Sequence, residues 1–303
     1  MPILDTHYID GLDVKAEKTS VFAMISPATE QQFGELVLGS TADVDLAVSS
    51  AKRALNSYRK TSKKDRIRLI RKIGVSFKKR MPELIDSVTE ELGSPLKLSS
   101  TLQVPAGIMQ VAKWTKVLSK FQFTEVHGGN QVLHEPIGVC ALITSWNYPV
   151  NGIFGVLLPA LAAGCTVVWK PSEYTSQTAS ILVSILHDAG VPKGVVNVVY
   201  GDGATVGHHL VTHDDVAMVS FTGSIETGLS ISQTLATSLK RLVVELGGKS
   251  PYIVLEDANL KEAHRLHKHF ITQHWANLHL AFKTIGACTA TFSSRENCSG
   301  SCR

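Results

Sequence analysis

Five apolar runs in this chain each end in a short polar or glycine-rich turn, and those turns hold residue types that bind anions or move protons. "CALIT" is followed by Ser145, Trp146, Asn147, Tyr148 and Pro149, and "CTVVW" by Lys170, Pro171, Ser172 and Glu173. "VVNVVY" runs into Gly201, Gly203 and Gly207, and "VAMVSF" into a turn with Gly223, Ser224 and Gly228. "RLVV" ends in Glu245, Leu246, Gly247, Gly248 and Lys249. A carboxamide can donate to a developing oxyanion, a carboxylate can carry a proton, and a glycine turn opening a helix can meet a phosphate. Singly, each has a plain structural explanation. "GDGATVG" can be a tight strand-to-helix connection, Lys170 a solvated cation at a strand end, and Ser224 a helix cap. Glu245 fits least well, because a carboxylate beside a buried sheet needs a partner or a raised pKa. Five such turns at five consecutive strand ends make a stronger signal than any one.

The elements that must position these turns are legible in the same stretch. From about residue 138 the sequence alternates short, near-continuous apolar strands with helices. Strands of that kind are buried on both faces, which means a parallel sheet covered by helices. Right-handed crossovers make it a doubly wound, Rossmann-like α/β fold, whose ligands gather beyond the carboxyl ends of the strands. Upstream, residues 8–40 read as short strands and turns. Residues 42–60 form an amphipathic helix with Thr41 as its cap, and 63–95 form two more divided near Met81-Pro82 and stopped by Gly93 and Pro95. A fourth helix covers about 98–120, and a hairpin with its turn at Gly128-Gly129-Asn130 covers 121–137.

Composition excludes several classes. With 303 residues, 44% hydrophobic and 18% charged, the chain is globular and long enough for a full core. A net charge of +4 calls for no nucleic-acid or membrane partner. "MPILDTHYID" has no apolar leader, which points to a cytoplasmic protein. Residues 150–169 are apolar enough to mimic a membrane span, but Pro159 and Gly164-Cys165 divide them into a core helix and a strand. Cys140 and Cys165 read as single buried hydrophobes, and Cys288, Cys298 and Cys302 show no disulfide framework.

"SWNYP", "KPSE", "FTGS" followed by Gly228, and "ELGGKSP", in this order and spacing, resemble the NAD(P)-dependent aldehyde dehydrogenase superfamily over roughly residues 8–263. The resemblance implies roles. Asn147 matches the amide that steadies the oxyanion, and Glu245 the general base that activates the nucleophile or the hydrolytic water. Lys170 and Glu173 match the pair gripping the adenosine ribose, where a carboxylate repels a 2′-phosphate and so favours NAD over NADP. Gly223 and Ser224 match the turn that meets the pyrophosphate. Gly203 falls on the adenine side and Trp146 on the nicotinamide side, and Ser172 and Leu246 complete the expected cofactor contacts. The hairpin resembles an oligomer contact, so the intact form is expected to be a homo-oligomer. The expected reaction oxidises a small-molecule aldehyde to a carboxylic acid.

The family's nucleophile is a cysteine in Asn-x-Gly-Gln-x-Cys, due where Leu278, His279 and Leu280 stand. Cys288 comes too late and lacks that flank, so the thiolate is absent from the chain as written. After Ala263 the chain turns histidine-rich, and His264, His267 and His269 do not repeat a metal-ligand spacing. The genetic code offers an explanation. Trp275 is TGG and Ala276 begins with G, so reading one base later forces a glycine. The neighbouring codons then allow "LLHNTGQTC", the family's motif at its expected place. This implies a dinucleotide-binding domain over 1–263 and a frameshifted, non-family tail over 264–303. Two alternatives remain at this level: an inactive, truncated dinucleotide-binding remnant, or a metal-binding protein using the His/Cys tail.

Overall fold

The computed structural model describes residues 1–17, 20–248 and 253–265. Its centre is a seven-stranded sheet in the order β12-β11-β8-β9-β10-β2-β3. The strands are β2 (Thr6–Ile9), β3 (Leu12–Lys15), β8 (Val139–Ile143), β9 (Thr166–Lys170), β10 (Val196–Val198), β11 (Val216–Gly223) and β12 (Arg241–Leu246). The five from β8 onward are parallel, and every residue of β8 and β9 is buried. Beyond β10 the sheet continues through the antiparallel pair β2–β3, so it is mixed rather than wholly parallel. A smaller sheet joins β1 (Ile3–Leu4), β5 (Gln32–Leu38) and β4 (Ser20–Ile25). A separate hairpin pairs β6 (Thr124–His127) with β7 (Asn130–Leu133) around Gly128-Gly129.

Successive side chains along a strand face opposite layers, and the core divides accordingly. Cys140, Leu142, Val167 and Trp169 pack against α2 (Lys63–Lys79), α3 (Met81–Leu92), α5 (Pro105–Lys120), α6 (Pro149–Ala163) and α7 (Ser176–Asp188). Val139, Ala141, Ile143, Val219 and Phe221 pack against α1 (Thr41–Tyr58), α8 (His208–Thr212) and α9 (Ile225–Leu235). Helices cover both faces, as the apolar strands required.

Local chemistry sets the helix bounds. α1 is capped by Ser40, not by Thr41 as expected. The Ser40 side chain accepts from the Asp43 N–H, and the Asp43 carboxylate accepts from the Ser40 N–H at 2.8 Å, a reciprocal capping box. The expected helix over 98–120 is built in pieces: α4 (Leu96–Leu98), a π turn over Ser99–Gln103, then α5 with Pro105 in its first turn. Pro159 lies inside α6 and does not divide it; the helix ends at Gly164 with φ of 90°. A side chain there would meet the Arg66 guanidinium, which donates to the Ala162 and Arg59 carbonyls, so glycine is required twice over. No helix among the described residues is long and apolar enough to cross a membrane.

The apolar residues that follow the glycine-rich turn read as a further strand in sequence, and they do not form one. Residues 253–255 form no ladder, and Ile253 is 75% exposed. A strand needs a neighbour for its backbone groups, and these residues have none in the described structure. Helix resumes at 260–265. His264 falls there, whereas His267, His269 and positions 278–280 lie outside the described residues, as do Lys249 and the three tail cysteines.

Candidate active site at the carboxyl ends of the strands

Strand register brings the five polar turns to one edge. Ile143 stands opposite both Lys170 on β9 and Phe221 on β11. Thr222 pairs with Glu245 and Gly223 with Leu246 on β12. The ladder continues past the strands, with the Thr144 N–H donating to the Lys170 carbonyl at 3.2 Å and the Gly247 N–H to the Gly223 carbonyl at 3.0 Å. The chain order reverses between β8 and β11, the place where doubly wound sheets open a ligand crevice.

Lys170 is 4% exposed although it ends a strand. Its Nζ donates to the Pro171 carbonyl at 3.1 Å and to Glu173 Oε2 at 3.3 Å. It is therefore a buried ion-pair cation rather than a solvated one, and the half-buried Glu173 carboxylate keeps a side open to ligand hydroxyls. Ser172 is buried and its Oγ accepts from the Tyr174 N–H at 3.4 Å, capping the 3-10 turn that carries Glu173. Its visible task is to shape this turn.

The Asn147 side chain is oriented by a residue the motif reading passed over. Ser145 Oγ donates to Asn147 Oδ1 at 2.6 Å, which leaves the amide NH2 as the outward donor. Gln103 Nε2 fixes the Asn147 carbonyl at 3.1 Å. Trp146 is half-buried against the main core. On the far side, Ser224 caps α9 by accepting from the Thr227 N–H at 3.1 Å, as one reading of this residue allowed. Gly223 is needed for close packing, because a Cβ there would lie 2.4 Å from the Phe221 ring. Gly203 begins a π turn capped by Asp202, and a Cβ at Gly203 would meet nothing within 4 Å, so its surface is open.

Glu245 departs from expectation. It lies exposed at the end of β12, and its neighbours Val243, Val244 and Leu246 are exposed as well. A carboxylate in solvent needs no compensating partner, so the argument from burial does not apply to it here. The exposed apolar residues continue on α9 with Ile225 and Leu229. This end of the sheet carries a bare apolar flank beside the polar turns.

The cysteines supply no nucleophile at this edge. Cys140 and Cys165 are free and buried, as small core side chains. The neighbouring Cys140 thiol and the Gly138 and Ile137 backbone N–H groups shift the Cys165 pKa down against its burial. Cys140 lies near the start of β8 and Cys165 just before β9, at the opposite end of the strands from the crevice. Among the described residues no group of three or more His, Cys, Asp or Glu side chains is arranged to hold a metal.

A carboxylate paired with a buried lysine, an open glycine surface and the start of α9 stand at the carboxyl ends of the strands, a donor set of the kind that could receive the adenosine half of a dinucleotide. A profile of the aldehyde dehydrogenase family matches residues 14–274. The chain belongs to the aldehyde dehydrogenase family. Among curated relatives it is 44% identical over 257 residues to a 3-succinoylsemialdehyde-pyridine dehydrogenase from a Pseudomonas species, covering 84% of this chain and 54% of that one. It is 43% identical to a putative aldehyde dehydrogenase of Staphylococcus aureus, again over 84% of this chain and 54% of the relative. An aldehyde dehydrogenase structure from Bartonella henselae superposes with a TM-score of 0.86 at 35% identity, covering 90% of this chain and 58% of that one. A mutant aldehyde dehydrogenase from Pseudomonas syringae, solved with NAD+ and octanal, gives 0.82 at 40% identity, covering 86% and 53%. The chain thus spans about half the length of the curated relatives it matches. The match also runs past Ala263, so the likeness does not stop where the histidine-rich stretch begins.

Proposed function

We propose that this chain is the dinucleotide-binding part of an NAD-dependent aldehyde dehydrogenase, and that as written it binds NAD without turning over an aldehyde. The observation that carries this reading is the Lys170–Glu173 pair at the end of β9, buried on the lysine side and open on the carboxylate side. Glu173 would accept from ribose hydroxyls and repel a 2′-phosphate, favouring NAD over NADP. Gly223, Ser224 and the start of α9 would meet the pyrophosphate. Gly203 would flank the adenine, and Trp146 and Leu246 the nicotinamide. When bound, the cofactor supplies the hydride acceptor.

In the family's reaction a cysteine thiolate adds to the aldehyde carbonyl. Asn147 then holds the oxyanion through the NH2 that Ser145 leaves free. Glu245 would deprotonate the water that hydrolyses the thioester, a step its solvent-facing position allows. The thiolate is what this chain lacks. Leu278, His279 and Leu280 occupy its expected place, and the codon argument supports a shift of reading frame from about residue 264. On this reading residues 1–263 are the domain and the frame breaks beyond it, within or after the stretch to 274 that the family match still reaches. A cytoplasmic location fits the family reading. The exposed Val126, Val132 and Leu133 of the hairpin support a role in homo-oligomer contacts.

Sequencing codons 255–290 from fresh genomic DNA tests the frame. One gained or lost base that opens Asn-Thr-Gly-Gln-Thr-Cys would make the intact product a complete enzyme producing NADH from an aldehyde. An unchanged frame leaves a dinucleotide-binding remnant that yields no NADH from any aldehyde. Stoichiometric zinc in the purified protein would instead favour a metal-binding role for the tail.

A further inference from the structure

The second residue and third residue of α7, Gln177 and Thr178, have their N–H groups capped from a distant helix. Thr175, the residue preceding α7, makes no side-chain cap bond. Glu91, on the last turn of α3, does it instead. Its Oε1 accepts from the Gln177 N–H at 2.6 Å and its Oε2 from the Thr178 N–H at 2.8 Å. Ser87 Oγ, one turn earlier on α3, reaches the same Oε2 at 3.3 Å and Thr178 Oγ1 at 2.9 Å. Glu91 is 2% exposed, so this carboxylate has no route to solvent and serves no surface purpose.

The start of α7 is continuous with the ribose-side turn. The turn Glu173–Thr175 runs directly into Ser176, whose Oγ donates back to the Glu173 carbonyl at 3.2 Å. Whatever fixes the first turn of α7 therefore fixes the backbone that aims the Glu173 carboxylate. A buried carboxyl group whose two oxygens accept from two adjacent amide N–H groups at 2.6 and 2.8 Å is a rigid anchor, because no water competes for these bonds and the low dielectric strengthens them.

We propose that Glu91 is a positioning residue for nucleotide binding: by holding the first turn of α7 it sets the Glu173 carboxylate at the distance that accepts a 2′-hydroxyl and rejects a 2′-phosphate. The inference rests on the dinucleotide reading above and assigns a specificity role to a residue outside the crevice. Glutamine in its place keeps the shape but offers one carbonyl oxygen to two N–H groups and turns an NH2 toward the other. The anchor then loses one of its two bonds, and Glu173 loses its fixed aim.

The test uses the full chain, wild type and Glu91→Gln, with AMP and adenosine 2′,5′-bisphosphate as probes in calorimetric titrations. Hydrogen exchange is followed across residues 171–178 and, as a control, across 139–143. The wild type should prefer AMP. Glu91→Gln should bind AMP about tenfold more weakly, one strong bond's worth, while its affinity for the bisphosphate hardly changes, so the preference narrows. Exchange should quicken in 171–178 and stay unchanged in 139–143, which separates lost positioning from general destabilisation. Ser87→Ala, which removes one donor and leaves both Glu91 oxygens in place, should move the same readouts less and keeps the test open if Glu91→Gln does not fold. An unchanged AMP preference in variants of a wild type that does bind AMP overturns the role of Glu91 alone. A wild-type chain that binds neither nucleotide overturns the dinucleotide reading, and the ribose role of Glu91 with it.

Discussion

Lys170 Nζ lies 3.3 Å from Glu173 Oε2, with the lysine buried at the end of β9 and the carboxylate half-buried. On the function proposed above, the pair makes a strand end a nucleotide-binding surface, because the buried cation fixes a carboxylate that would otherwise sample many rotamers. Glu173→Gln should weaken NAD binding about tenfold. It should also narrow the preference over NADP, since the repulsive charge is gone. Paired titrations with the two cofactors read both effects.

Gly223→Ala tests the close approach beneath α9. The added Cβ would fall 2.4 Å from the ring of Phe221, a buried side chain with little room to move. Overpacking of this kind costs about 1–3 kcal/mol, read as a lower denaturation midpoint with an unchanged denaturant slope. Nucleotide affinity should fall as well, because the turn that opens α9 must shift.

His7 makes stability depend on pH. The ring is buried; Nδ1 accepts the Tyr200 N–H at 3.2 Å, and Nε2 faces Asp43 Oδ2 at 3.4 Å. Burial lowers its pKa below 6.5, and the neighbouring Asp43 carboxylate only partly offsets this. The unfolded chain therefore takes up the proton first. The contribution of His7 is complete above about pH 6.5 and is lost as pH falls toward its folded value. Denaturation from about pH 7.5 down to 5 should show wild-type stability falling more steeply than that of His7→Gln.

Glu91 has the opposite sign. Burial is the main cause that raises its pKa from 4.5 to about 7, despite hydrogen bonds from Thr178, Gln177 and Ser87. The folded state holds the proton more tightly than the unfolded one. Its contribution is therefore full below about pH 4.5 and declines as pH rises through 7. The stability of wild type relative to Glu91→Gln should fall over that window, the reverse of the His7 comparison.

The bare flank of β12 predicts self-association. Val243, Val244, Ile253 and Leu255 are exposed, and an edge strand with apolar side chains is a template for pairing with another chain. Val243→Lys with Ile253→Lys should raise the soluble, monodisperse fraction in light scattering and leave NAD affinity unchanged. Equal aggregation in both proteins would show that this flank is not the cause.

Much of the architecture was legible because its strands are buried on both sides. β8 and β9 read as unbroken apolar runs, and their polar turns marked the edge where ligands gather. What escaped depends on contacts distant in sequence. Glu91 sits at the spacing of Leu84, Ser87 and Val88, which placed a carboxylate on a buried helix face, but only the fold shows that α7 lies opposite. The capping residue of α1 differed by one position because Ser40 and Thr41 are both suitable acceptors and the Asp43 carboxylate decided between them. Residues 253–255 have the composition of a strand and lack a neighbour, and Glu245 ends an apolar run that one side of the sheet leaves uncovered. The Ser145 bond to Asn147 was two residues away in the quoted motif, yet its direction required coordinates.

The most direct test of the account is calorimetric titration of the purified chain with NAD and with NADP, followed by addition of an aldehyde while NADH is monitored. Saturable NAD binding, weaker NADP binding and no NADH are expected from the chain as written. NADH formation by that chain, or no binding of either cofactor to the folded protein, would contradict it.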